Sequence, residues 1–147
     1  MAKRLLLAMA ISLLLCTGAP AADYIIDAEK NCIHMKSKES IESRAFKVRL
    51  TPGVPYTVAL SGAAFFSPDT DRDADPIPGI ILFYSTNEQD GFASFYRVLA
   101  PGGSVSFTTP SLASGVRPED VFLSAFIIDY WENTPHRGGF ILRVEKK

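Results

Sequence analysis

The sequence predicts an all-β protein, an antiparallel sandwich of about eight short strands. Three observations predict it. Several stretches alternate apolar and polar residues with period two, as in Phe46-Lys47-Val48-Arg49-Leu50. Two others, Ile80 to Tyr84 and Val121 to Ile128, are almost wholly apolar, as buried strands are. Turn residues punctuate the chain at even spacing, and no long amphipathic helix pattern appears.

The first residues are read as leader. Lys3 and Arg4 precede an apolar run from Leu5 to Cys16, too short to span a bilayer. Ala19-Pro20-Ala21 then offers small residues where signal peptidase reads. Residues 1–22 are therefore expected to be a signal peptide, cleaved near Ala21 or Ala22. The mature chain would be a single domain over 23–147, secreted or periplasmic. Leu15 before Cys16 is too large for a lipidation site. Two of the 15 basic residues lie in the leader, so 13 remain against 16 acidic ones, a net charge of −3. With no basic patch and no second long apolar run, neither nucleic acid nor membrane is an expected partner. Cys32 is the one cysteine left after cleavage, so no intrachain disulfide can form.

Taken in order, Tyr24 to Ala28 reads as the opening strand and Glu29-Lys30-Asn31 as a turn. Cys32 to Lys36 reads as a short second strand. Alternation would put Cys32 and His34 on one face. Two ligands are too few for zinc, so the pair reads as a packed cysteine and a hydrogen-bonded histidine. Residues 37–43 are polar without a period. Phe46, Val48 and Leu50 face inward, and Thr51-Pro52-Gly53 turns the chain into Tyr56 to Leu60, predicting a hairpin.

Residues 69–75 place aspartates at every second position: Asp69, Asp71, Asp73 and Asp75. Ile80 to Tyr84 follows as a central strand covered on both faces, with Phe83 fully buried. Phe92 to Leu99 and Ser104 to Thr108 are further strands. Pro110 to Asp120 is a loop, Val121 to Ile128 a second buried strand, Asp129 to Gly139 a second polar loop, and Phe140 to Val144 the closing strand. The two polar loops interrupt buried strands, and in a sandwich such loops gather at one end and carry a site.

The acidic loop fails as an EF-hand. Asp69, Asp71 and Asp73 have the opening spacing, but Ala74 stands where glycine is needed and Ile80 where glutamate is. Another calcium arrangement, or a solvated loop, remains open. Beside Asp129, Tyr130 and Trp131 are aromatics suited either to packing or to stacking on a sugar. Neither a nucleophile elbow nor a paired-histidine motif is present. Acids clustered on one loop do not straddle a glycosidic bond. The chain reads as no enzyme.

Three segments resemble the calcium-dependent, galactose-binding bacterial lectins of the PA-I type. Thr51 to Gly62, continuing to Ser67-Pro68, is similar to a family hairpin. Asp71-Arg72 and Asp75-Pro76-Ile77-Pro78-Gly79-Ile80-Ile81 are similar to its acidic loop and following strand. Ile127-Ile128-Asp129 through Gly138-Gly139-Phe140 is similar to its calcium loop. The resemblance covers roughly Ala45 to Val144, with scattered identities. It implies a galactose-binding-domain-like sandwich that binds carbohydrate, or another small polar ligand, with Ca2+.

By the resemblance, calcium would be held by the Phe66 carbonyl, Asp129 and the Asn133 carbonyl; apart from it, Asp71, Asp73 and Asp75 of the acidic loop are candidates to supply further oxygens by another arrangement. Ligand contacts would fall on Asp75, Asp129, Tyr130, Trp131, Asn133 and His136. Two departures stand out. Pro135, His136 and Arg137 occupy the place of the family's paired asparagines, and calcium prefers hard oxygen ligands. Asp75 and Pro78 stand where the family has its sugar-binding His and Gln. The alternative is therefore an exported sandwich that keeps the fold but has lost sugar and calcium, acting through protein contacts. Homo-oligomerisation is compatible with either.

Overall fold

A computed structural model describes residues 20–66, 75–85, 95–109, 111, 121–129 and 135–147. Two sheets enclose one apolar core. The strands are β1 (Ala21–Asp27), β2 (Cys32–His34), β3 (Phe46–Arg49), β4 (Pro55–Phe65), β5 (Ile80–Ser85), β6 (Phe95–Leu99), β7 (Ser104–Thr108), β8 (Phe122–Asp129) and β9 (Arg137–Lys146). One four-residue helix, α1 (Ile41–Arg44), joins β2 to β3. The protein is an all-β sandwich, as alternation and turn spacing predict. No helix among the described residues is long and apolar enough to cross a membrane.

The first sheet has the order β1-β9-β4-β7 and is antiparallel throughout. The second has the order β2-β8-β5-β6, with β3 also paired to β8. β3 runs antiparallel along the first half of β8, from Phe122 to Ala125, and β2 runs parallel to its second half, from Ile127 to Asp129. Both lie on the edge of β8 opposite β5. This parallel pair departs from the expected all-antiparallel arrangement.

The predicted β3–β4 hairpin is corrected. The strands lie in different sheets, so the Thr51-Pro52-Gly53 turn carries the chain across the sandwich. The inward residues Val48 and Leu50 share one buried core with Val58 and Leu60 of the opposite sheet. Alternation tells which side of a strand is apolar but not which strand pairs with it.

β5 is central, as predicted, but not covered on both faces. Ile80, Leu82 and Tyr84 are buried, while Ile81 and Phe83 are half-buried. Phe83 packs on the exposed Tyr96 with ring centroids 4.8 Å apart. β8 does carry a continuous buried run, from Leu123 to Ile127.

Three local devices hold the strand ends in place. The β1–β2 turn is an Asx turn, because Asp27 Oδ1 accepts from the amides of Glu29 and Lys30 at 3.0 and 2.9 Å. Asn31 extends it, donating from Nδ2 to Arg44 O while its own carbonyl accepts from Ile127 N. α1 is begun by a capping box in which Ser40 and Ser43 each bond the other's amide. At the start of β9, Gly138 has φ +80°, and a Cβ there would lie 2.5 Å from Ala63 O. Only glycine lets β9 lie this close to β4. Asp23 to Asp27 are paired to β9 as well as Ala21 and Ala22, so cleavage at either expected position leaves β1 in place.

Candidate functional site

The end of the sandwich where β2, β4 and β8 finish and β9 begins carries the buried donor groups. β2 places Cys32 and His34 on one face, since strand side chains alternate. Their register partners on β8 are Ile127 and Asp129. β4 ends at Phe65 opposite Arg137, the first residue of β9, which brings His136 to the same end. Cys32, His34 and His136 each offer one donor atom, and these three atoms lie within 4.8 Å of one another.

His136 is the most informative of the three. Its side chain is 1% exposed. Neither Nδ1 nor Nε2 has a hydrogen-bond partner among the described residues. Nε2 lies 3.4 Å from Asp129 Oδ2, within ion-pairing range but outside hydrogen-bond geometry. The ring is tilted against His34, with centroids 5.6 Å apart, and meets the edge of Phe66 at the same separation. A buried polar ring left this way costs free energy that burial alone does not return.

Cys32 is fully buried and unoxidised. Burial pushes its thiol up to about 12, and the nearby Asp129 carboxylate adds to the rise, while a hydrogen bond from the Asp129 backbone opposes it. The resting thiol is therefore protonated and poorly nucleophilic. His34 is half-buried and gives the cluster its solvent-facing side. Its backbone is fixed from below: His34 N donates to Glu39 Oε2 at 3.1 Å, and Ser37 Oγ donates to His34 O at 2.8 Å. Glu39 is itself paired with Arg44. The amide of His34 is the chief reason that the Glu39 carboxyl sits below its usual range.

Of the residues expected in a site, Phe66, Asp75, Asp129 and His136 are described, and they come together. Phe66 N donates to Asp75 O at 3.0 Å, so the two flanks of 67–74 are tied. Phe66 packs on His136, and His136 faces Asp129. Asp71, Asp73, Tyr130, Trp131 and Asn133 lie outside the described residues. Cys32 and His34 were legible as a pair on one face. Their third partner stands a hundred positions further along the chain, where no spacing rule reaches.

An open groove lies elsewhere. It encloses roughly 370 Å³ at the other end of β4, along Tyr56, Ser106, Phe107 and Lys147. Among the described residues, no histidine, cysteine, aspartate or glutamate side chain lines it.

Chemically, the Asp129 end offers a thiol, two imidazoles and a carboxylate. That set can hold a transition ion. Asp129, the exposed Asp75 and the Phe66 carbonyl would contribute oxygen to a harder one. No family model matches the chain, and no curated protein or solved structure matches it.

Proposed function

We propose that this chain is an exported, non-catalytic binding module that takes a carbohydrate or another small polar ligand at the Asp129 end of its sandwich, assisted by calcium. One observation carries the reading. Phe66, Asp75, Asp129 and His136, far apart in sequence, meet at one end of a rigid scaffold. The lectin resemblance gives the Phe66 and Asp129 positions to the cation and the Asp75 position to the sugar, and His136 stands in the region of its paired asparagines. Residues 67–74 and 130–134 begin and end at this cluster, which is where binding segments on a sandwich are expected. In this reading Asp129 anchors the cation, with the Phe66 carbonyl beside it.

The test is a glycan panel read in calcium and again in chelator, with Asp129→Asn as the variant. Retention of a glycan in calcium, lost on chelation and in the variant, supports the reading. Absence of any retained glycan under both conditions contradicts it.

A second reading is favoured by a specific feature. The described neighbour of Asp129 Oδ2 is an imidazole nitrogen and not an oxygen donor. In that case the module has lost the sugar and calcium site and works through protein contacts.

A further inference from the structure

Three features invite a function that calcium would not serve. The outer face of β5 and β6 exposes Tyr96 and Val98 beside Phe83, but nothing in the structure indicates what would cover it. Ser124 Oγ is buried without a hydrogen-bond partner among the described residues, yet its neighbours along the strand from Leu123 to Ile127 are all apolar. The third feature is the Cys32, His34 and His136 cluster, and it is different in kind. It combines three metal-ligating side chains, two from β2 and one immediately before β9, with a buried imidazole that makes no hydrogen bond among the described residues.

We propose that Cys32, His34 and His136 bind one transition ion of the zinc(II) or copper(I) kind, with Asp129 as the carboxylate that orients His136. The donor types decide the class of ion. Thiolate and imidazole are soft to borderline ligands and suit zinc and copper, whereas calcium and magnesium take oxygen. Geometry is close to what such an ion needs. Tetrahedral bonds of about 2.0–2.3 Å hold donor atoms roughly 3.3–3.7 Å apart. The present spread reaches at most 4.8 Å, so a shift of about 1 Å, small enough for side-chain rotation, would close the set around zinc. His34, half-buried and at the end of its strand, is the side chain with room to make it.

The environment fits as well. A carboxylate beside a ligating imidazole fixes the ring and its tautomer, and Asp129 Oδ2 stands 3.4 Å from Nε2 of His136. The fourth position belongs to a water entering from the His34 side. Binding converts the Cys32 thiol to thiolate and releases its proton to solvent, with no redox change. The ion would satisfy the His136 ring, whose nitrogens make no hydrogen bond among the described residues. This inference does not rest on the sugar reading, because it uses a thiol and two imidazoles that calcium would ignore.

The experiment uses untagged full-length mature protein, stripped with chelator and titrated separately with zinc(II), copper(I) under reducing conditions, cobalt(II) and calcium. One equivalent of zinc or copper should bind. Cobalt should give a thiolate-to-metal charge-transfer band together with tetrahedral visible bands. Cys32→Ala should abolish the charge-transfer band. His136→Phe should abolish stoichiometric binding, and Asp129→Asn should weaken zinc on the order of 10-fold to 100-fold.

Because Cys32 is in the core, a folding failure of its variant is met by His34→Gln at a half-buried position, which should also lose stoichiometric zinc. Far-ultraviolet spectra identify folded variants. Binding that is substoichiometric, or unchanged in His34→Gln and His136→Phe, overturns the proposal. So does cobalt without a thiolate band. Failure of the glycan panel leaves these outcomes untouched, and success with calcium does not replace them.

Discussion

The two ends of β4 bury polar groups in opposite ways. At the Pro55 end, Thr109 is 2% exposed, and its hydroxyl donates to Thr51 O at 2.7 Å while accepting from Val54 N at 2.8 Å. Thr109 N donates to Val54 O, and Thr51 N donates to the Tyr56 hydroxyl. These groups answer one another and lock the turn between the sheets. At the Phe65 end, His136 is as deeply buried, and neither ring nitrogen finds a hydrogen bond among the described residues. Satisfied burial is what a structural network looks like, and unsatisfied burial beside other donors points to a ligand.

The largest expected effect is therefore at the satisfied end. Thr109→Val keeps the shape but strands Val54 N and Thr51 O. It should cost about 2–4 kcal/mol, since each buried unpaired group costs roughly 1–3 kcal/mol. Denaturant unfolding reads it directly. A loss under about 1 kcal/mol would show that solvent replaces the hydroxyl and would erase the contrast.

Next in size is the helix that sets up β3. Ser40→Ala removes one half of the capping box and should cost about 1 kcal/mol. An unchanged unfolding midpoint would mean that α1 is held by its neighbours and not by its cap.

Glu39 gives a smaller, pH-dependent effect. Its carboxyl is held below the ordinary value of 4.5, chiefly by the His34 amide. The ionised form is favoured in the folded state. Its contribution is thus present above that value and is lost as pH falls through the lower folded one. The stability gap between wild type and Glu39→Gln should narrow as pH drops below 4.5. A gap that stays constant with pH would mean that the carboxylate charge contributes nothing at this position.

The smallest expected effect is at the unsatisfied end. In metal-free protein, His136→Phe trades a polar ring that makes no hydrogen bond among the described residues for an apolar one among Phe66 and His34. Stability should change by less than about 1 kcal/mol, or rise slightly, because replacing an unsatisfied polar group by an apolar one of similar shape is near neutral. A loss above about 2 kcal/mol would place His136 with Thr109, as a structural group.

The sequence made much of this legible. Phe46, Val48 and Leu50 alternate, and β3 forms there with Val48 and Leu50 buried. The apolar run from Val121 gives the buried β8. What it withheld was partnership. Val48 and Leu50 would be as well buried in either sheet, so the turn at Pro52-Gly53 read as a hairpin when it is a crossing. Phe83 sits in a run apolar on both faces, yet it is half-buried and packs on the exposed Tyr96. The site was half legible for the same reason. Period two put Cys32 beside His34, and the two lacked a third ligand on that strand. His136 joins them because β2 pairs with the end of β8 while β9 starts at the end of β4. Neither pairing leaves a mark in local spacing.

The most direct test of the unsatisfied end as a metal centre is X-ray absorption at the zinc edge of the one-to-one zinc complex. One sulfur at about 2.3 Å and two imidazole nitrogens at about 2.0–2.1 Å are the expected shell. A shell of oxygens and nitrogens without sulfur would contradict it, because Cys32 would then take no part.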